Sequence, residues 1–241
     1  MQEVFMRKQI LFTKSALVLA GLVACGYLHV PAALAEDKTP PQQINFQFGG
    51  VIPATVTGDV TTNFPTPFTG TALTDKPTRT GAFLANYSYQ LNKWTGVEAG
   101  YGLARFTQNY SSDFGPSSVQ SNMQEWTGDF VLHIPARTSR IHPYAVTGFG
   151  VLRFSPTDNV NNLVDATSQS RSAFVYGGGA DFDISKRIGL RADYRGFRLK
   201  APDFGLPELT TIAETHIAEP SIGIYFRFSK VGFGKKGHSG N

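Results

Sequence analysis

Charged side chains recur at every second position in several short stretches of this sequence. Asp181 and Asp183 do so in FVYGGGADFDI (residues 174–184), and Arg191, Asp193 and Arg195 in LRADYRG (residues 190–196). Glu98, Asp129 and Arg227 stand at equivalent places in VEAGYGL, EWTGDFVLHI and SIGIYFRF. Side chains two apart share one face of a strand, so these carboxylates and guanidiniums are expected to face one compartment. Out of water they would pair with one another, because an unpaired buried charge is costly. The expected chemistry is a structural salt-bridge plug, and the alternative is an ion or proton path.

The histidines offer a second chemistry. Acyl transfer needs a nucleophile, a base and an acid held together. His133 closes one predicted strand, His142 begins the next, His216 precedes the last, and His238 lies beside Ser239 near the end of the chain. None stands in a His-x-Ser arrangement. His133 and His142 flank one turn and could approach each other, but without a cysteine or a His-x-x-x-His pair they read as solvated turn residues. The run Gly177-Gly178-Gly179 is followed by no helix and is not a phosphate loop. No catalytic, metal or cofactor-binding residue is therefore assigned, and no cofactor is expected.

The elements that must position these charges follow from a period of two. Eight segments show it: INFQF, FLANYSYQL, VEAGYGL, EWTGDFVLHI, PYAVTGFGVLRF, FVYGGGADFDI, LRADYRG and SIGIYFRF. In seven of them one face is bulky and apolar; in the fifth, from Pro143, both faces are apolar or small. Low charge (17%), 12% aromatics and 25 glycines in 241 residues fit a strand-rich, turn-rich chain. Three connections are short, at residues 92–95, 135–140 and 185–187. Four are long, at 51–79, 107–122, 155–171 and 200–215, and short and long alternate. Every second loop then lies at the same end of the strands.

The polarity of the two faces discriminates between architectures. A soluble barrel fills its interior with apolar residues, whereas a membrane barrel turns them outward. Strands of about 8–11 residues suit a tilted crossing of the hydrocarbon. Tyr and Trp near strand ends suit an interface girdle, and glycines on the charged face leave room in a narrow lumen. A closed barrel pairs every backbone group, as lipid requires. The expected fold is all-β, an eight-stranded antiparallel up-and-down transmembrane β-barrel over residues 43–228, with a soluble periplasmic barrel as the structural rival.

The ends of the chain read differently. A basic stretch, an apolar core and AALA-ED form a signal peptide over residues 1–35, cut near Ala35, with 36–42 as a short linker. Leu22-Val23-Ala24-Cys25 offers a second cut, in which Cys25 is lipidated. Cleavage at Ala35 removes the single cysteine, and with it any disulfide or thiol chemistry. Without Arg7, Lys8, Lys14 and Glu3 the chain holds 19 basic and 17 acidic residues; three of the lysines sit in residues 229–241, a flexible basic tail. Residues 36–228 are close to neutral, which gives no argument for nucleic acid.

In these residues the chain resembles the small eight-stranded outer-membrane barrels of the OmpA/OmpX type. HPYAVTGFG (142–150), GGGADFDISKRIGLRADYR (177–195) and SIGIYFRF (221–228) carry the resemblance. Ser221, Gly223, Phe226 and Phe228 fit the terminal signal read by the barrel-insertion machinery, although 13 residues follow Phe228. The resemblance implies a monomer in the outer membrane of a diderm bacterium, in contact with outer-membrane lipid and lipopolysaccharide. It implies a non-catalytic envelope or surface-interaction role through loops 51–79, 107–122, 155–171 and 200–215. The alternatives are an enzyme that modifies lipid A and a small pore.

Overall fold

In a computed structural model of the chain the described residues are 42–61, 69–113, 115–135, 140–161, 163 and 165–228. The expectations for the signal peptide, Cys25, the linker to residue 41, His238 and the tail 229–241 fall outside them.

Ten strands are formed: β1 (Gln42–Pro53), β2 (Val56–Asp59), β3 (Ala72–Asp75), β4 (Thr80–Gln90), β5 (Thr95–Ser112), β6 (Gly115–His133), β7 (Ile141–Asn161), β8 (Gln169–Asp183), β9 (Ile188–Lys200) and β10 (Glu214–Phe228). Eight of them close a ring, β1-β4-β5-β6-β7-β8-β9-β10, every neighbouring pair antiparallel. The seam is β1 against β10, with Gln42 opposite Phe228 and Phe48 opposite Ile222. SIGIYFRF is therefore the closing strand. Among the described residues no helix is long and apolar enough to cross a membrane.

Alternation places the faces as the sequence predicts. Phe46, Phe48, Phe130, Leu132, Phe149 and Ile222 point outward and are exposed, while Asn45, Gln47, Asp129, Val131 and Tyr225 point inward and are buried. The ambiguous fifth segment is resolved as part of β7: Tyr144, Val146, Leu152 and Phe154 face in, Phe149 and Val151 face out.

The long connections differ from expectation. Residues 107–122 are not an irregular loop. β5 and β6 stay paired through Ser112 opposite Gly115. β7 runs to Asn161, and β2 and β3 form a hairpin that joins the upper end of β5, with Leu73 opposite Ser112. Barrel strands therefore run from 11 to 21 residues, the longest of them well beyond a membrane crossing. Ladder hydrogen bonds continue into water because the extended strands bury a second set of inward side chains, so strand length is not set by the bilayer alone.

The interior is divided by height. Polar and charged residues fill the end near the short turns. An apolar cluster built from Val51, Leu84, Phe106, Met123, Leu152 and Phe197 fills the end towards the long connections. Segment 201–213 closes that end, with a 3-10 turn at Pro207–Leu209 and Phe204, Leu206 and Leu209 buried. Phe204 has φ of 51°, a backbone region that a bulky residue rarely adopts. Its ring is fully buried, and both the backbone N–H and the hydroxyl of Thr167 donate to its carbonyl at 2.9 Å.

Candidate functional site: the barrel interior

Alternation along β9 sends Arg191, Asp193 and Arg195 into the lumen, and β5 and β6 supply their partners. Arg195 Nη1 donates to Asp129 Oδ2 at 2.9 Å, and Nη2 donates to Glu98. Arg191 Nη1 lies 2.9 Å from Glu98 Oε2, while its guanidinium stacks 4.3 Å from the Tyr144 ring centre. Asp193 bridges both arginines at 3.4 Å. Glu98, on the strand diametrically opposite β9, also accepts from Ser88. Each of these charges has a hydrogen-bonded counter-charge, which is the condition for holding ions away from water.

Two glycines of β5 make the room. A Cβ at Gly100 would sit 2.7 Å from Asn86 Oδ1 and close to Thr127 Oγ1, with Arg195 Nη1 at 3.3 Å. A Cβ at Gly102 would meet the Glu125 carboxylate at 2.5 Å. The small residues of VEAGYGL are thus the space into which the long side chains of β6 and β9 fold.

Nearer the short turns, Arg227 Nη1 lies 2.6 Å from Asp183 Oδ1 and Arg227 Nη2 lies 3.5 Å from Asp181 Oδ2. Arg227 Nε donates to Gln43 Oε1 at 3.0 Å across the β1–β10 seam. Gln43, Asp181 and Arg227 line an open cavity of about 260 Å³ that also takes in His133 and His142. Of the two turn histidines, His142 is bound to Asp183 at 2.9 Å with its side chain 40% exposed, and both line the cavity. His216 lies on the outer wall, 2.8 Å from the Tyr176 hydroxyl. Among the described residues no histidine is hydrogen-bonded to a serine, and no group of three or more His, Cys, Asp or Glu side chains could hold a metal.

Above the arginines stand Glu125 and Glu219, both buried. Higher still the buried side chains are mostly apolar, with Gln108 and Ser121 among them, up to Phe204, Leu206 and Leu209. Asp203 pins this closure: Gln169 Nε2 and Arg171 Nη2 donate to its carboxylate at 2.6 and 2.8 Å, and Gly205 N at 3.1 Å. Tyr110 donates to the Pro202 carbonyl at 3.3 Å. The interior is therefore obstructed twice, by a ring of ion pairs and by an apolar cap. Chemically it can hold the wall together.

A family model described as "Outer membrane protein beta-barrel domain" matches residues 20–218. The chain belongs to that family. This outer-membrane barrel is similar in fold to OprG of Pseudomonas aeruginosa, at 12% identity and a TM-score of 0.55 over 80% of this chain and 97% of that one. Neisserial surface protein A aligns at 11% identity and a TM-score of 0.50, over 80% of this chain and 100% of that one. Outer membrane protein AlkL aligns at 18% identity and 0.50, over 84% and 97%. At these identities the likeness is one of fold. No curated protein matches the chain.

Within the barrel, the inward charges expected from alternation all face the lumen, and acids of β6 and β8 do pair with arginines of β9 and β10. Sequence reasoning missed Glu219, although the alternation of SIGIYFRF continues back through Glu219, Ile217 and Thr215. It also missed the apolar cap, whose residues have no period to reveal them.

Proposed function

We propose that the protein is a non-catalytic, non-conducting barrel that acts at the cell surface through the structure it raises above the membrane. The observation that carries this reading is the doubly obstructed lumen: ion pairs across its charged half, and Phe204, Leu206 and Leu209 over its apolar half. A sealed scaffold carrying a rigid extension is suited to presenting a surface, since binding residues on loops work best when the scaffold fixes them. The extension is built from the upper parts of β5, β6 and β7, the β2–β3 hairpin and segment 201–213. Insertion is proposed to leave the short turns in the periplasm and the extension outside, after signal-peptide cleavage near Ala35. Each copy is proposed to act as a monomer.

The test is a deletion strain complemented with the full chain or with a variant in which residues 107–120 are replaced by Asn-Gly. The shortened chain is expected to reach the outer membrane and keep a heat-dependent mobility shift, yet fail to restore surface adhesion and detergent resistance. Equal restoration by both chains would contradict a role for the extension.

A further inference from the structure

Two buried carboxyl groups stand outside the ring of ion pairs. Glu125 of β6 and Glu219 of β10 are 2% and 1% exposed, and their carboxyl groups are in hydrogen-bond contact with each other. Arg195 stands opposite Glu219 in register, yet its guanidinium is turned to Glu98, Asp129 and Asp193. Among the described residues no cation lies within ion-pair distance of either glutamate, and Glu219 Oε1, Glu219 Oε2 and Glu125 Oε2 have no donor. The charged groups that face the pair are Arg195 and Asp193 of β9 and Asp129 of β6. Register sets Gly102 of β5 and Leu152 of β7 beside Glu125. Gly49 is opposite Ser221 and Ile52 opposite Ala218, which leaves Val51 of β1 facing Glu219. Leu84 of β4 and Val175 of β8 are likewise buried and apolar, and Arg171 of β8 is held by Asp203.

Two ionised carboxylates only accept, so they cannot bond to each other, and side by side out of water they repel. One proton between them removes the repulsion and turns the contact into a charge-assisted O–H···O bond. β6 and β10 lie opposite one another in the eight-stranded ring, so this bond spans the lumen. It does so beside a gap in the seam. Pro220, next to Glu219, has no N–H to give β1, and the β1–β10 ladder is interrupted between the Gly49–Ser221 and Ile52–Ala218 pairs.

We propose that Glu125 and Glu219 share one proton in the folded barrel, and that the resulting bond is a pH-sensitive tie from β6 to the β1–β10 seam. With one proton the pair keeps a single negative charge, and every oxygen that touches its partner does so through a donor. Without the proton two like charges are left buried; the tie breaks and the seam loosens beside Pro220. The folded chain holds this proton and the unfolded chain releases it, so its contribution to stability is greatest at low pH and is lost as pH rises. The tie belongs to the lumen and does not depend on what the extension presents.

The test is the infrared spectrum of the full chain, folded in detergent in heavy water at neutral pH, with glutamate isotope-labelled at the side-chain carboxyl carbon. A protonated carboxyl has a C=O stretch separate from those of carboxylates and backbone amides. The wild type is expected to show such a band, and the glutamate label to shift it. Glu125→Gln and Glu219→Gln should each lose the whole label-sensitive band, because the new amide donates to the remaining carboxylate and no proton is needed. A preserved heat-dependent mobility shift checks folding. Raising the pH should remove the band from the wild type and lower its urea midpoint together, with a smaller fall in Glu219→Gln. A wild-type spectrum without a label-sensitive band overturns the proposal whether or not the variants fold. A band that survives in either folded variant, in full or in half, overturns the shared proton. Equal pH dependence of the urea midpoint in the wild type and Glu219→Gln overturns the tie.

Discussion

Arg195 Nη1 on β9 lies 2.9 Å from Asp129 Oδ2 on β6, and the same guanidinium reaches Glu98 on β5, so one side chain ties three strands across the lumen. Removing it leaves buried carboxylates without their counter-charge. Arg195→Ala is expected to destabilise the barrel by about 3–5 kcal/mol, as for other broken buried pairs. The check is the urea midpoint of the heat-modifiable band in detergent. Adding Glu98→Gln to Arg195→Ala should cost less than the sum of the two single changes, because the pair acts as a unit.

Glycines of the wall are expected to divide by face. Gly102→Val drives a side chain into the Glu125 carboxylate and should cost about 1–3 kcal/mol, the usual penalty of overpacking. Gly128, on the outward face of the neighbouring strand, has open space where its Cβ would stand. Gly128→Val should leave the same urea midpoint unchanged.

The apolar cap is expected to behave as core. Phe204 is fully buried, so Phe204→Ala should cost about 3–5 kcal/mol of local stability. Limited proteolysis of intact cells should then cut within 201–213 at rates the wild type does not show. Cutting at equal rates would mean that the cap is not closed.

A titrating group sits in the extension. Asp75, on β3, has Oδ1 buried without a hydrogen-bond partner, and burial pushes its carboxyl up to about 7 from an ordinary value of 3.8. The folded extension therefore holds this proton more tightly than the unfolded chain does. Its contribution to stability is complete below about pH 4 and is lost as pH rises through about 7. Protease resistance of the β2–β3 hairpin should accordingly be greater at pH 5 than at pH 8. Asp75→Asn should flatten that difference.

Much of this architecture was legible because lipid enforces alternation. In VEAGYGL or LRADYRG every outward residue must be apolar or small and every charge must turn inward, so the period of two shows strands, faces and lumen at once. Beyond the apolar band the outward face meets water while the inward face stays buried, and because Ser117 and Ser121 are as polar as the outward Ser118, Gln120 and Asn122, no such pattern marks β6 even though it is continuous through them. The cap was hidden for a related reason. Phe204, Leu206 and Leu209 are buried by tertiary closure of an irregular segment, and nothing local distinguishes them from exposed loop residues. Charge pairing was legible in kind but not in partner, since Glu98 and Arg195 are 97 positions apart and meet across the ring's diameter.

The most direct measurement of the central claim is the current through a planar bilayer into which the purified full chain has been inserted, recorded at both signs of voltage. A lumen obstructed by Arg191, Arg195 and the apolar cap predicts insertion, shown by the heat-dependent mobility shift of the recovered protein, with no discrete conductance steps. Reproducible single-channel steps from the wild-type chain would contradict it.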